Sequence, residues 1–338
     1  MKTSAPKRPT LAKVASEAGV SAMTASRALR KAPDVSAATI AKVELAAAKL
    51  GYLGNSLAQS FTNQRTDLVA VIMPSLTNTV FPEVLAGISE ATERAGLQTV
   101  FGISEYDQQR ELKAIRSLLA WKPAAFIVPG IDQLPEAKAL LKSADIPVIQ
   151  IMDLCDDPID SCIGLSHSKA GLDMSRVLLD RHYTSFGYIG AGLEKDTRAA
   201  KRKLGFLTGL QRNGLDFVTD ISVKGPQSTE LGRKLMADML DRSKLPEVVY
   251  FANDDLAAGA VLECMYRKLR VPEDVVIVGF NGLPIIDALP CKIVTSRSAR
   301  YEMGVRAGEL IVHNVTESTG RGQSIELPPT IEMGDLKE

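Results

Sequence analysis

Cysteine and histidine are scarce in this chain of 338 residues, and their placement excludes the common metal sites. The four cysteines and three histidines are Cys155, Cys162, Cys264, Cys291, His167, His182 and His313. No Cys-x-x-Cys pair occurs, and no cysteine stands at zinc-site spacing from a histidine. We therefore expect structural thiols in a reducing compartment, with no metal and no cofactor.

Long hydrophobic runs and a secretory signal are also absent. The longest apolar stretches, such as Leu68–Met73, are strand-sized and fall short of the roughly 18 residues of a membrane helix. No apolar segment follows the start of the chain, as a secretory signal requires. These absences predict a cytoplasmic protein with no membrane partner. The length itself predicts about two domains.

The chain as a whole has no excess of positive or negative side chains, but its two parts do. Forty Lys and Arg balance forty Asp and Glu. Residues 1–65 hold ten basic and three acidic side chains, whereas the other 273 residues hold thirty and thirty-seven. A basic head on an acidic body indicates a polyanionic partner for the head, although an exposed lysine-rich helical face would give the same excess.

The basic head is predicted to form three short helices. Thr10 can cap a first helix that Gly19 ends, and Ser21 can cap a second helix only two residues later. So short a connection, with glycine at its start, is typical of a helix-turn-helix. A third helix is predicted from Ser36 to Gly51. An ordinary helical hairpin is the alternative.

Candidate DNA contacts lie on the second helix, because its N-terminal residues reach base edges in a helix-turn-helix. The predicted contacts are Ser21, Ala22, Met23, Thr24, Ser26 and Arg27, with Ala25, Ala28 and Leu29 facing the core. Arg27 is the natural reader of guanine, worth roughly 1–3 kcal/mol of discrimination. Ala22 and Met23 offer apolar contacts, and Thr24 and Ser26 would hold phosphates.

The body shows apolar strand-like runs that alternate with helical stretches. The predicted strands are Leu68–Met73, Thr99–Ile103, Ala125–Val128, Val148–Ile151, Phe186–Ile189, Val248–Phe251 and Val275–Phe280. This alternation predicts an α/β fold with doubly wound parallel sheets. Ligands bind beyond the carboxyl ends of such strands, and these ends are followed by Pro74–Asn78, Met152–Asp153, Gly190–Glu194, Asn253–Asp255 and Asn281–Gly282.

The chain resembles a known family over essentially its whole length. The matching segments are Leu11–Arg27, Val35–Ser36, Leu50–Tyr52, Asn55–Ser60, Pro74–Asn78, Ala252–Gly259 and Val271–Asp274. They closely resemble the LacI family of bacterial transcription regulators, and Ile151–Asp160 is similar to its gluconate-repressor branch. The resemblance implies a helix-turn-helix head, a hinge helix and a two-lobed body like that of periplasmic sugar-binding proteins.

The resemblance also implies domain limits and partners. Residues 1–53 would form the head, 54–67 the hinge helix and linker, and 68–338 the effector-binding and dimerisation domain. One lobe would take about 68–167 and 297–324, and the other about 168–296 and 325–338. We expect a homodimer that represses transcription at a pseudo-palindromic DNA operator under allosteric control by a small molecule.

Four hinge residues are implied as further DNA contacts, and these are Asn55, Leu57, Ala58 and Phe61. Phe61 stands where the family usually has a leucine wedged into the minor groove, and phenylalanine can serve as such a wedge. Gly54 replaces the family's usual proline, which should make the free hinge more flexible.

Five body residues are implied as effector contacts, and these are Phe81, Asp153, Arg202, Asn253 and Asn281. Arg202 lies where the family places its effector-reading arginine, and a guanidinium suits a carboxylate bidentately. Asn281 stands where many members have Asp, and its amide removes a charge that would repel an anion. With Lys195 and Arg198 nearby in sequence, this favours a sugar acid such as gluconate or 2-ketogluconate over a neutral sugar.

Other interpretations compete at several positions. Phe81 could equally be a core residue and Asn253 a buried helix cap. A nicotinamide-dependent dehydrogenase finds support in Gly190 and Gly192, but Lys195 occupies the place of the third glycine of its phosphate-binding fingerprint. No Gly-x-Ser-x-Gly element occurs. We therefore expect a regulator and not an enzyme.

Replacing Phe61 with alanine should lower operator affinity sharply, because the wedge that kinks the DNA is lost, and should leave effector affinity intact. A fluorescence titration with operator DNA and a calorimetric titration with effector measure the two affinities. Unchanged operator binding would contradict the assignment of Phe61 as the wedge.

Overall fold

The computed structural model describes residues 9–52, 66–242, 244–317 and 322–336. The chain divides into two compact units, Met1–Thr66 and Asp67–Glu338. The limits given above for the head, the hinge and the two lobes remain predictions.

Three helices make up the described part of the first unit, and these are α1 (Leu11–Ala18), α2 (Ala22–Leu29) and α3 (Ala37–Leu50). Gly19 ends α1 in the left-handed conformation, with a φ of 62°, and its N–H reaches the carbonyls of Ala15 and Ser16. Ser21 caps α2 by accepting a hydrogen bond from the N–H of Thr24. Glycine tolerates this φ without steric cost, so the chain can turn sharply between the two helices.

The predicted ends of α3 are also found. Ser36 accepts from the N–H of Thr39 at the start, and Gly51 ends the helix with a φ of 63°. The prediction for Thr10 is wrong in one respect, because its side chain makes no capping bond at the start of α1. Its backbone carbonyl accepts from Lys13 instead, at 2.9 Å. The helices pack through small side chains, and the buried ones are Val14, Ala15, Ala18, Ala25, Ala28, Val43, Ala46 and Ala47.

Two sheets of six strands each form the second unit, within the residues described. In spatial order the first sheet holds β11 (Ser324–Glu326), β5 (Ser161–Gly164), β4 (Val148–Ile151), β3 (Ala125–Pro129), β1 (Leu68–Met73) and β2 (Gln98–Ile103). The second holds β12 (Thr330–Glu332), β10 (Val294–Arg297), β9 (Val276–Asn281), β8 (Val248–Phe251), β6 (Phe186–Ala191) and β7 (Phe217–Val223). All of these strands pair in parallel except β12, which runs antiparallel to β10. The predicted doubly wound α/β fold is confirmed.

Helices connect the strands of this unit. They are α4 (Val80–Glu93), α5 (Gln108–Leu119), α6 (Pro135–Ser143), α7 (His167–Leu179), α8 (Thr197–Gln211), α9 (Thr229–Arg242), α10 (Asp254–Tyr266), α11 (Pro284–Asp287) and α12 (Arg300–Glu317). Among the described helices, none combines the length and apolarity that a membrane crossing needs. Across the same residues, no group of three or more His, Cys, Asp or Glu side chains is placed to hold a metal ion.

Burial explains which strands the sequence pattern predicts. The central strands β1, β3, β4 and β8 are buried almost throughout, and their ends lie within one residue of the predicted runs. The edge strand β7 alternates half-buried and exposed side chains, so it contains no continuous apolar run and escapes prediction. The short strands β5, β10, β11 and β12 escape it as well, because each has at most two apolar residues, whereas β4 and β8, with four residues, have three and four.

The chain passes between the two sheets after β5, after β10 and after β11. After β10 the chain returns to the first sheet and forms α12, which packs against α4 over that sheet. Strand β11 then pairs with β5, with Glu326 opposite Gly164. Ile325 and Glu326, which the predicted limits assign to the second lobe, therefore belong to the first sheet.

Helices α7 and α8 touch backbone to backbone at two glycines. A Cβ atom at Gly171 would lie 2.0 Å from the carbonyl oxygen of Arg202, and one at Gly205 would lie 2.0 Å from that of Ser168. The close crossing brings the side chain of His167, at the start of α7, against that of Arg202.

Replacing Gly171 with alanine should lower the melting temperature by several degrees, because α7 and α8 must move apart to admit the methyl group, at about 1–3 kcal/mol. Lys113→Ala on the exposed face of α5 is the control and should change little. Differential scanning calorimetry compares the two variants. Equal melting temperatures for both would show that the crossing can relax freely.

Candidate functional site

The exposed face of α2 carries the residues predicted to reach DNA bases. Ala22, Met23 and Arg27 are exposed, and Met23 has 73% of its surface accessible. Ala25 and Ala28 are buried in the core of the head, as predicted. Burial of these two alanines fixes the rotation of the helix, so the exposed side chains share one face.

Arg27 is already paired within the head. Its guanidinium donates to the carboxylate of Asp34, and this hydrogen bond lowers the pKa of Asp34. Ser21 and Thr24 share a hydrogen bond of 2.8 Å between their hydroxyls. To read a guanine, the guanidinium of Arg27 must therefore release the carboxylate of Asp34 or bind the base and the carboxylate together. The predicted hinge contacts that lie outside the described residues are Asn55, Leu57, Ala58 and Phe61.

A cavity of about 560 Å³ opens in the second unit at the carboxyl ends of strands from both sheets. This is within the usual size range of small-molecule sites. Its polar lining includes Asn78 and Tyr106 after strands of the first sheet, and Asp196, Gln227 and Asn253 after strands of the second. The position is the one that parallel sheets offer to ligands.

Several of these lining groups are held by neighbouring atoms. Asn78 donates through Nδ2 to the Tyr106 hydroxyl at 2.7 Å, and Gln227 donates through Nε2 to the carbonyl of Ala191 at 3.0 Å. Burial raises the pKa of Tyr106, which therefore stays protonated. Asn253 caps α10, accepting from the N–H of Leu256 at 3.0 Å. The helix-cap interpretation of Asn253 is thus confirmed, and the residue lines the cavity as well.

Arg202 lies deep in the second unit, with 5% of its surface exposed. Its guanidinium carbon is 3.9 Å from the centre of the Phe280 ring. Nη1 contacts Nδ1 of His167 at 3.0 Å, and Nη2 donates to the carbonyl of Ala252 at 2.9 Å. Its Nε is buried and has no hydrogen-bond partner within the part of the chain described. The structure thus leaves Nε without a partner and uses one N–H each of Nη1 and Nη2, so the bidentate contact with a carboxylate stays a prediction.

His167 is a neutral partner to this guanidinium. Burial, and then the positive charges of Arg202 and Arg198, hold its pKa well below the usual range. Its Nε2 lies 2.8 Å from the carbonyl of Met152, which can only accept, so Nε2 carries the proton. Nδ1 is then free to accept from Arg202. One tautomer satisfies both contacts.

Arg198 is the second buried guanidinium beside the cavity. Its side chain is 11% exposed, and its Nε lies 3.9 Å from Oδ1 of Asp196. Its Nη1 is buried without a hydrogen-bond partner among the residues described. The guanidinium carbon is 5.8 Å from the centre of the Phe81 ring. Phe81 itself is 3% exposed and belongs to the core of the first sheet, so it packs in the core and also faces a cation.

Asp153 contacts the other sheet's helix α8. Its carboxylate is buried and accepts from Nζ of Lys201 at 2.5 Å. Lys201 also lies 3.8 Å from Asp132, which accepts from the hydroxyl of Thr197 at 2.7 Å. Loops after β3 and β4 are therefore joined to the first turns of α8 by charged contacts.

Within the described residues, Asn253 is the one predicted effector contact that lines the cavity. Arg202 bonds to the residue next to it, Ala252, and Asn281 ends the neighbouring strand β9. Phe81 is connected to the site by its contact with Arg198. Asp153 is connected to it by its ion pair with Lys201. The five predicted residues thus share one region, with most of them beside the cavity rather than in its lining.

Contributors that were not predicted as site residues include Asn78, Tyr106, His167 and Gln227. Asn78 lies in a segment already expected at a strand end, and Tyr106 follows the predicted second strand. Gln227 follows β7, whose alternating pattern hides it. His167 has no local signal, because its role depends on contact with Arg202, 35 residues away.

The pair of Gly190 and Gly192 at the end of β6 does not form a dinucleotide fingerprint. Helix α8 starts at Thr197, five residues after Gly192, and Asp196 caps it by accepting from the N–H of Ala199 at 3.1 Å. A carboxylate thus occupies the helix N-terminus where a pyrophosphate would bind.

Known proteins match both units. Residues 10–55 match the model of the bacterial regulatory proteins of the lacI family, and residues 66–332 match that of periplasmic binding proteins and the sugar-binding domain of the LacI family. The chain belongs to the LacI family. Its members are transcription regulators, not enzymes, and this chain is a DNA-binding transcription regulator with an effector-binding domain.

Individual relatives cover nearly the whole chain. The HTH-type transcriptional regulator GntR of Pseudomonas aeruginosa is 35% identical, over 95% of this chain and 93% of its own. The crystal structure of a LacI-family transcriptional regulator from Silicibacter pomeroyi is 38% identical, with a TM-score of 0.93 over 97% of this chain and 98% of that one. The lac repressor dimer bound to operator and an anti-inducer shares the fold, with a TM-score of 0.83 at 24% identity over 97% of this chain and 98% of its own.

A buried carboxyl lies close to Arg198. Burial raises the pKa of Glu111, on α5, to about 7, against weaker opposing effects of Gln133 and Arg198. Its Oε1 has no hydrogen-bond partner among the residues described. The folded state therefore holds this proton more tightly than the unfolded chain does between about pH 4.5 and 7. This carboxyl makes the protein less stable as the pH rises through that range.

Replacing Glu111 with glutamine should raise the melting temperature at pH 8, because the cost of ionising a buried carboxyl is removed. The gain should shrink as the pH falls and vanish near pH 4.5. Melting curves from pH 4.5 to 8 measure it, with the exposed Glu230→Gln as control. A difference between variant and parent that does not depend on pH would contradict the raised pKa of Glu111.

Proposed function

We propose that this regulator is a repressor whose operator affinity is controlled by a sugar acid of the gluconate or 2-ketogluconate type. The observation that carries the proposal is a pair of buried, unpartnered N–H donors beside the cavity, Nη1 of Arg198 and Nε of Arg202. Buried donors on charged groups are costly unless they are paired. A carboxylate is the ligand group best suited to such charged donors.

The partners of the buried guanidiniums favour an anion over a neutral ligand. Arg202 has no carboxylate partner among the described residues; it contacts a neutral imidazole, a carbonyl and an aromatic ring. The nearby carboxylate of Asp153 is occupied by Lys201. Asn281 stands where many family members carry Asp, so one negative charge is missing from the site. The two buried guanidiniums therefore offer an anion a local positive charge, although the cavity lining itself holds the carboxylates of Glu105, Glu194, Asp196 and Asp255.

The polyol part of such a ligand would find neutral polar groups. Asn78, Tyr106, Gln227 and Asn253 line the cavity and offer amide and hydroxyl groups to sugar hydroxyls. A neutral sugar could use the same groups, and it is the alternative. The relative named GntR and the gluconate-branch resemblance of Ile151–Asp160 support the acid.

Repression requires two heads on one operator. We infer a cytoplasmic homodimer that reads a pseudo-palindromic operator through the exposed face of α2 and the hinge residues near Phe61. The effector would act by favouring one relative pose of the two lobes. The lac repressor dimer bound to operator, which shares this fold, offers a precedent for the dimer.

Calorimetric titration with gluconate and with glucose tests the ligand class directly. Arg198→Gln should weaken gluconate binding about ten- to hundredfold, because a charged hydrogen bond is lost. Arg212→Gln, exposed at the end of α8, is the matched control and should bind gluconate like the parent. Stronger binding of glucose than of gluconate, or unchanged gluconate affinity in Arg198→Gln, would overturn the sugar-acid proposal.

A further inference from the structure

We infer that Arg300 is a positioning residue that holds Asn281 at the effector site and connects it to helix α4 through Glu83. The inference deepens the proposed function and rests on it in one respect, namely that Asn281 serves the effector. Neither Arg300 nor Glu83 is singled out by a local sequence motif. It explains how a ligand at one sheet could be sensed at the other.

The position of Arg300 in the chain is the first argument. Strand β10 of the second sheet ends at Arg297, and α12, which packs over the first sheet, begins at Arg300. Arg300 thus stands at a passage from one sheet to the other. A side chain here can contact both sheets without a long reach.

The guanidinium of Arg300 forms hydrogen bonds on both sides of this passage. Nε donates to Oε2 of Glu83 at 3.0 Å and Nη2 to Oε1 at 2.9 Å, a bidentate pair with α4. Nη1 donates to the carbonyl of Asn281, and Nη2 to that of Gly282 at 3.1 Å. Only 4% of Arg300 is exposed. One planar group therefore joins helix α4 to the end of strand β9.

The backbone that Arg300 holds adopts an unusual conformation. Asn281 has a φ of 107° and Gly282 a φ of 67°, both in the region that L side chains rarely adopt. The N–H of Ser298 also donates to the Asn281 carbonyl, at 3.1 Å. Two residues of positive φ in succession need such bonds to keep one conformation. The direction of the Asn281 side chain depends on them.

A buried carboxylate holds the same turn from its other side. Asp254 accepts from the N–H of Leu283 at 2.7 Å and from the hydroxyl of Thr295 at 2.8 Å. The N–H groups of the turn are thus fixed within the second sheet, whereas its carbonyls are fixed by Arg300. Arg300 and Glu83 supply the charged contact between this turn and α4, beside apolar packing in a core cluster that holds Phe280, Leu283 and Phe81.

The pair of Glu83 and Arg300 is the contact that can open. The side chain of Glu83 is 38% exposed, so water can replace Arg300 as its partner, whereas Arg300 is enclosed. If α4 shifts relative to β9, either this ion pair breaks or the Asn281 carbonyl is displaced. The pose of α4 and the orientation of Asn281 are therefore coupled, and a ligand that favours one orientation favours one pose.

A double-mutant cycle on gluconate affinity tests the positioning role. Arg300→Lys, Asn281→Ala and the double variant are titrated with gluconate by calorimetry. If Arg300 acts through Asn281, Arg300→Lys weakens binding about as much as Asn281→Ala does, and the double variant is no weaker than either. Additive losses would overturn the inference, because they would mean that the two residues act independently.

Glu83→Gln tests the connection without removing the buried guanidinium. It should reduce the ratio of operator affinities measured without and with gluconate by about fivefold or more. The operator is obtained by selection from a random DNA pool. Glu302→Gln, on the exposed face of α12, is the matched control and should leave the ratio unchanged. An unchanged ratio in Glu83→Gln would overturn the connection to α4.

Hydrogen exchange in the ligand-free protein separates this inference from the proposed function. Glu83→Gln should speed exchange of the N–H groups of Leu283 and Ser298, while the amides of α9 keep the parent's protection. If the parent protein does not bind gluconate, the sugar-acid proposal fails, and the exchange result alone then decides the positioning role. Unchanged exchange at both amides would overturn it.

Discussion

The burial of the Arg202 guanidinium is the constraint on which the effector site depends. A cation with 5% exposure must find partners inside the protein, and those found include a neutral imidazole, a backbone carbonyl and the face of Phe280. None of these three partners carries a compensating charge. The neutral state of His167 follows directly, because two guanidiniums and burial oppose its protonation. An anionic ligand, as proposed above, would supply the charge that these three partners lack.

The same region carries the contacts between the two sheets. On one side Lys201 joins Asp153 and Asp132, and on the other Arg300 joins Glu83 to the turn after β9. Both connections pair a basic residue of one segment with carboxylates of another, and both are adjacent to predicted effector contacts. A ligand that bound there, as proposed, would compete with or reinforce these contacts. Under that proposal, effector binding and a change in the pose of the lobes would use one set of charged groups.

The sequence predicted the parts of the fold that local pattern determines. Gly19, Ser21, Ser36 and Gly51 mark helix ends because capping depends on neighbouring residues, and the central strands are readable because burial on both faces makes them apolar throughout. Strand β7 could not be predicted from the sequence, because one of its faces meets solvent and no continuous apolar run results. Strand β11 could not be predicted either, because its three residues form a strand only by pairing with β5. At the site, Asn253 was predicted both as a cap and as a contact, and it is found as a cap that lines the cavity.

By itself the sequence determined the division of charge between a basic head and an acidic body. It also determined that the head is helical and the body α/β, and which basic and amide residues are available for a ligand. The tertiary structure alone decided which of their atoms are free. Arg202 has one unpartnered nitrogen because His167, 35 residues away, and Ala252, 50 residues away, take the other two. Arg300 meets Glu83 across 217 residues. Such contacts form only where chain passages bring distant segments together, and a hydrogen-bonding group buried there must be satisfied by whatever the fold places beside it.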